Sequence, residues 1–205
     1  MENYAELVGR REEVAYYMRR LYRKDLTSSS GGNISLRLPD RRILITPSAL
    51  DKGELSGDQV ALLDPEGKNL CLDLAPTMEV ELHLAIYRVR PDVSAVMHAH
   101  PPFASSFACS GVDIRLDLTP EARLVVGRLT KAPYHPAGSR ELAEAVALAL
   151  ASEDARAALM LNHGVTTVGA SMFQAFDRLE VVELAARMTW IARSLGQLSG
   201  LPAPL

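Results

Sequence analysis

His98 and His100 are separated by one residue and close the apolar run Ala95-Val96-Met97. Alternate residues of a β-strand face the same side, so this spacing aims two imidazoles at one point, as a metal ion requires. A third histidine, His163, ends another apolar run, Leu159-Met160-Leu161, and is followed by Gly164. Upstream, Pro76-Thr77-Met78-Glu79 offers a carboxylate. Three imidazoles and a carboxylate match the ligand set of a zinc ion with an exchangeable position. The competing explanation is a pair of histidines hydrogen-bonded in a core. Sites in α/β sheets cluster at strand ends, and Pro101-Pro102 stop the strand beside His100, which favours the metal.

The two remaining histidines carry less. His83 lies four residues after Glu79 and shares its helical face. It is either a fourth ligand or a histidine hydrogen-bonded within its helix, and the second is favoured. His135 sits in the loop Pro133-Tyr134-His135-Pro136 and receives no role. Glu79 falls in the first turn of a predicted helix capped by Thr77, where the dipole favours a carboxylate; ordinary capping glutamates occupy such positions too.

Three small-residue segments suit an anion. The turn Gly31-Gly32-Asn33, the loop Thr46-Pro47-Ser48 and Thr77 offer hydroxyls and backbone N–H groups, the usual cradle of a phosphate. Asn33, Gly32, Ser48 and Thr77 are therefore candidate phosphate-binding residues.

These groups need a scaffold to bring them together. Residues 5–25 show helical apolar spacing and end at Thr27-Ser28-Ser29-Ser30-Gly31-Gly32. Residues 33–38 and 42–45 read as a hairpin turned by Pro39-Asp40, and 59–64 as a further short strand. Helices are predicted over 77–88, from Pro101-Pro102 to Ala108, over 139–150 and over 171–195. Strands are predicted at 94–98, 157–161 and 165–168, with weaker ones near 124–126 and 129–132, and the tail from Leu201 is expected to be loose. No linker or repeat divides the chain. The expectation is one α/β domain over residues 1–205: a three-layer α/β/α arrangement around a mixed, mainly antiparallel sheet.

Composition excludes several classes. The net charge is -3 and the basic runs are short and interleaved with apolar residues, unlike a nucleic-acid surface. No apolar run approaches about 18 residues, so no membrane span is expected, and the N-terminus lacks the pattern of a signal peptide. Two cysteines, Cys71 and Cys109, make no disulfide framework and read as small buried hydrophobes. A cytoplasmic location is expected.

The segments SGGNIS (30–35), ITPS (45–48), PTMEVELH (76–83), VMHAHPP (96–102), APYHPAGSREL (132–142) and LNHG (161–164) occur in this order along the chain. In them the chain resembles the class II aldolase/adducin family, most closely its L-fuculose-1-phosphate aldolase type. The resemblance implies that His98, His100 and His163 bind zinc, and that Glu79 ligates zinc at rest and moves the substrate proton. It implies that Asn33, Ser48 and Thr77 hold phosphate, and that Tyr134 is a proton donor supplied by a neighbouring subunit of a C4 homotetramer with active sites at subunit interfaces. The implied reaction is reversible cleavage of a ketose 1-phosphate to dihydroxyacetone phosphate and an aldehyde. Related branches are a pentulose-phosphate 4-epimerase, which has a longer C-terminal segment, and a methylthioribulose-1-phosphate dehydratase. Non-catalytic adducin-like modules lack the zinc histidines. The chain departs from the family pattern where Ala49 replaces a glycine, where Met78 replaces a hydroxyl residue and where the C-terminal tail lacks a tyrosine.

Overall fold

The computed structural model of the chain describes residues 4–202. Its strands are β1 (Asn33–Arg37), β2 (Ile43–Ile45), β3 (Ala61–Leu63), β4 (Ala95–Ala99), β5 (Arg128–Ala132), β6 (Ala155–Met160) and β7 (Gly164–Gly169). Its helices are α1 (Tyr4–Arg23), α2 (Val80–Val89), α3 (Pro102–Ser110), α4 (Pro120–Val126), α5 (Arg140–Ala149) and α6 (Met172–Leu195). The strands form one open sheet in the order β3-β2-β1-β4-β7-β6-β5. Its pairings are antiparallel except that of β5 with β6.

The pleat sorts side chains between two cores. Leu36, Leu44, Leu62, Met97, Leu159 and Val165 pack against α1, α3, α4 and α6. Ile43, Ile45, Leu63, Val96, Met160 and Val168 pack on the opposite face against α2 and α5. The result is the expected three-layer α/β/α arrangement. The alternation breaks once, where Arg128 pairs with Ala155 but Leu129 with Ala157. Arg156 is the extra residue of a bulge, so Ala155 and Ala157 belong to opposite cores.

Helix ends follow local chemistry. Ser171 Oγ accepts the Gln174 N–H and Ser139 Oγ the Leu142 N–H, capping α6 and α5. Three expectations fail. Residues 124–126 belong to α4, not a strand, because Thr119 caps and Pro120 opens a helix there. Thr77 is not the cap of α2: the helix starts at Val80, and Glu79 occupies the cap position without a side-chain cap bond. The tail is tied down at Leu201, whose N–H bonds Asp117 O, and at Pro202, whose carbonyl accepts from Arg123; 203–205 lie outside the described residues.

Just past α2, buried Arg90 donates to the carbonyls of Leu150, Ser152 and Ala155 and pairs with Asp92 at 2.8 Å. One guanidinium thereby satisfies the connection between α5 and β6, which would otherwise leave buried carbonyls bare.

Candidate metal centre

His98 lies near the end of β4, paired with Asn33 on β1 and Thr166 on β7. These three residues share one row across adjacent strands, so the pleat directs all three side chains toward the α2 face. His100 follows just beyond the strand. His163 is carried by the tight link between β6 and β7, where Asn162 takes a left-handed φ of 56° and the His163 N–H bonds Met160 O. The link closes this tightly because position 164 is glycine: a Cβ there would meet Ala99 O at 2.5 Å and His100 Cδ2 at 2.8 Å. One ligand atom from each of His98, His100 and His163 falls within 4.8 Å of the others.

The protonation pattern suits a cation. His98 Nδ1–H donates to Val165 O at 3.1 Å, so Nε2 carries the free lone pair. Burial, and the neighbouring His100 and His163, hold His98 well below the usual imidazole range; burial and His163 lower His100 as well. His98 is therefore neutral, and the 3.3 Å approach of its Nε2 to Glu79 Oε2 is not an ion pair. Glu79 Oε1 lies 3.7 Å from His163 Nε2. Both His98 Nε2 and Glu79 Oε1 are buried acceptors with no hydrogen-bond donor. Unsatisfied buried acceptors cost about 1–3 kcal/mol each, and a shared cation satisfies both. The residues present fit the metal that the resemblance implies.

Glu79 is held by a buried hydrogen-bond chain. Asn33 Nδ2 donates to Glu79 Oε2 at 2.8 Å, and Asn33 Oδ1 lies 2.5 Å from His83 Nε2. His83 Nδ1 meets Ser35 Oγ at 2.7 Å, and Ser35 Oγ meets the Tyr87 hydroxyl at 2.7 Å. Burial pushes His83 down to about 3, so the ring is neutral and has one N–H. Because Asn33 turns its amide N–H toward the carboxylate, its oxygen must accept. That assigns the single proton of His83 to Nε2 and makes Nδ1 the acceptor for Ser35. His83 is therefore neither a metal ligand nor bonded within its own helix, contrary to both sequence expectations. It joins α2 to β1 and fixes the amide that holds Glu79.

A cavity of about 380 Å³ opens onto this cluster and brings together Gly32, Asn33, Ser48, Thr77, Glu79, His100 and His163. Gly32 has φ +67°, and a Cβ there would meet His98 O at 2.8 Å. Ser48 Oγ donates to Pro76 O, and the Thr77 N–H bonds Thr46 O, stitching two rims together. Thr77 Oγ1 accepts the Glu79 N–H at 3.3 Å. Ala49 adopts the left-handed region at φ 56°, a conformation that disfavours alanine. Met78 is 72% exposed.

Sequence reading missed Lys52, which also lines the cavity. Its setting after Leu50-Asp51 resembles any surface lysine, and only the folded loop shows it buried. Tyr134 is 59% exposed and lies outside the cavity lining. The cysteine expectation also fails: Cys71 is half-buried, its Sγ accepting from Arg11, and Cys109 is exposed. A larger cleft of about 770 Å³ lies at the other end of the same strands, beside Leu36, Ser94 and Ala170, and contains none of His98, His100, His163 and Glu79.

Comparison with known proteins agrees with this geometry. The sequence profile of the Class II Aldolase and Adducin N-terminal domain matches residues 12–190. The chain is 35% identical over 178 residues to an L-fuculose phosphate aldolase of Methanococcus maripaludis, covering 86% of this chain and 94% of that protein. It is 31% identical over 185 residues to a 3-oxo-tetronate 4-phosphate decarboxylase of Haemophilus influenzae, covering 88% and 87%. The crystal structure of YgbL from Escherichia coli superposes with a TM-score of 0.89 at 29% identity, covering 96% and 95% of the two chains. With the family profile spanning most of its length, the chain belongs to the class II aldolase/adducin family.

Proposed function

We propose that the chain is a zinc-dependent aldolase that cleaves a ketose 1-phosphate of the L-fuculose 1-phosphate kind to dihydroxyacetone phosphate and an aldehyde. The observation that carries this reading is Glu79. Its carboxylate lies between the His98 and His163 imidazoles on one side and the Asn33 amide on the other, with Oε1 lacking any donor. His98, His100, His163 and Glu79 would hold the zinc, although imidazole-rich sites accept other divalent ions. When bound, the metal supplies Lewis acidity to the negative charge that develops on oxygen as the carbon–carbon bond breaks.

The remaining steps belong to the chain. Glu79 moves the proton at the carbon beside the carbonyl, a task worth about 10²–10⁴-fold in rate. Asn33 keeps Oε2 occupied, so Oε1 is the oxygen that would hold the metal at rest and take the proton when substrate is bound. Gly32, Asn33, Ser48 and Thr77 line the part of the cavity assigned to phosphate. Tyr134, exposed in its own chain, serves a neighbouring subunit of a homotetramer as proton donor to the aldehyde oxygen. The setting is the cytoplasm, and none of these roles calls on nucleic acid; among the described residues no helix is long and apolar enough to cross a membrane.

A second reading is favoured by similarity to the decarboxylase of Haemophilus influenzae: loss of carbon dioxide from a 3-oxo acid phosphate also leaves a carbanion beside a carbonyl. One experiment separates the two. Metal-supplemented enzyme is given a panel of ketose 1-phosphates and 3-oxo acid phosphates, and dihydroxyacetone phosphate and carbon dioxide are measured. Release of dihydroxyacetone phosphate from a ketose 1-phosphate supports the aldolase; turnover confined to the 3-oxo acid phosphates, with carbon dioxide released, overturns it. Glu79→Gln keeps bound metal and loses cleavage by at least 100-fold on this reading; full activity in that variant removes Glu79 from the mechanism.

A further inference from the structure

Lys52 is 2% exposed and stands among the largest fully buried side chains of the protein. Its ammonium donates to the Pro47 carbonyl, and no carboxylate among the described residues comes within ion-pair distance. A lysine ammonium has three donors, so two are left without an acceptor. A buried, uncompensated cation is costly; the burial depresses Lys52 to about 8, with no charged neighbour contributing. Such a group is tolerated where an anion completes it. The side chain lines the same cavity as Gly32, Ser48 and Thr77. Its backbone N–H bonds Ser29 O at 2.8 Å, tying the loop after Thr46 to the Ser/Gly turn before Asn33.

We propose that Lys52 is a substrate-binding residue whose two free ammonium donors hold a phosphomonoester dianion in this cavity. The inference rests on the reading that the substrate is phosphorylated, and it adds the one full positive charge that the neutral hydroxyls and amides of that rim lack. A dianion beside Lys52 compensates the buried ammonium, so the site discriminates against uncharged sugars.

The test uses the metal-loaded enzyme with Lys52→Met, a change that removes a buried charge and keeps much of the volume. Inorganic phosphate and glycerol 1-phosphate are the probes, with binding measured by calorimetry and by thermal protection. Wild type is expected to bind glycerol 1-phosphate more tightly than the variant by about 10- to 100-fold, the range of a charge-assisted hydrogen bond. Wild-type binding is expected to weaken above about pH 8, where the ammonium deprotonates, and variant binding to lack that dependence. A variant that folds, retains metal and binds the probe as tightly as wild type overturns the proposal. So does a variant that is less stable without phosphate yet equally protected by it, since that marks a purely structural lysine. Phosphate binding that depends on Lys52, in an enzyme that cleaves no ketose phosphate, supports the inference and counts against the aldolase reading instead.

Discussion

His83 offers a quantitative test of the hydrogen-bond chain behind Glu79. Its folded value of about 3 lies below the ordinary 6.5 of the unfolded chain. The unfolded state therefore takes up a proton first as pH falls. The stability that neutral His83 contributes is complete above pH 6.5 and is lost progressively below it, at about 1.36 kcal/mol per pH unit, until the folded state also protonates near pH 3. Between pH 7.5 and 5 the loss is about 2 kcal/mol, a magnitude set by the unfolded value because pH 5 lies well above the folded one. The perturbation is His83→Gln, whose amide can still donate to Asn33 Oδ1 but does not titrate. Urea unfolding of both proteins under chelation, at pH 7.5 and pH 5, isolates the term, since every other group titrates alike in the two. Wild type is expected to lose about 2 kcal/mol more than the variant, or about 4–8 °C in Tm for a chain of this size. Equal pH dependence in the two proteins would refute the assignment of a neutral, proton-excluding His83.

Other substitutions probe the rest of the frame. Gly164→Ala places a Cβ 2.5 Å from Ala99 O and against the His100 ring; metal affinity measured by competition with a chelator is expected to fall by about 10-fold or more, and unchanged affinity would show that the link does not position the ligands. Ala49→Gly relieves a left-handed φ of 56° and is expected to be neutral or stabilising by up to about 1 kcal/mol in denaturant unfolding, where an ordinary Ala→Gly change in a loop destabilises. Arg90→Leu removes the guanidinium donor from the buried carbonyls of Leu150 and Ala155 and is expected to cost about 3 kcal/mol or more; a loss under 1 kcal/mol would mean that water replaces the guanidinium.

The convergence of His98, His100 and His163 is legible in the sequence because it depends on local rules. The spacing of His98 and His100, and the glycine after His163, each reflect a strand end or tight link. What escaped depends on tertiary burial. Lys52 and His83 have no periodic signature; their meaning arises only when one loop folds beneath another and when α2 is laid across β1. Residues 124–126 carry an ambiguous signal, because three apolar residues look alike in a short helix and a strand, and Thr119-Pro120 decides for the helix. The cap of α2 lies two residues past Thr77 because the backbone from Thr46 to Thr77 pairs across the rims and delays the start of the helix.

The row Asn33, His98 and Thr166 runs across β1, β4 and β7 in the middle of the sheet. Ser48, Ala49 and Lys52, in contrast, belong to a loop outside any strand. The two halves of the cavity therefore differ in how freely they can change over evolution. Moving His98 relative to Asn33 would require breaking the register of a central strand paired on both sides, a defect spread through both cores. Altering the loop from Pro47 to Lys52 disturbs few pairings and leaves the row intact. The architecture holds the row of Asn33, His98 and Thr166 in fixed register and leaves the rim formed by the loop the freer of the two to vary.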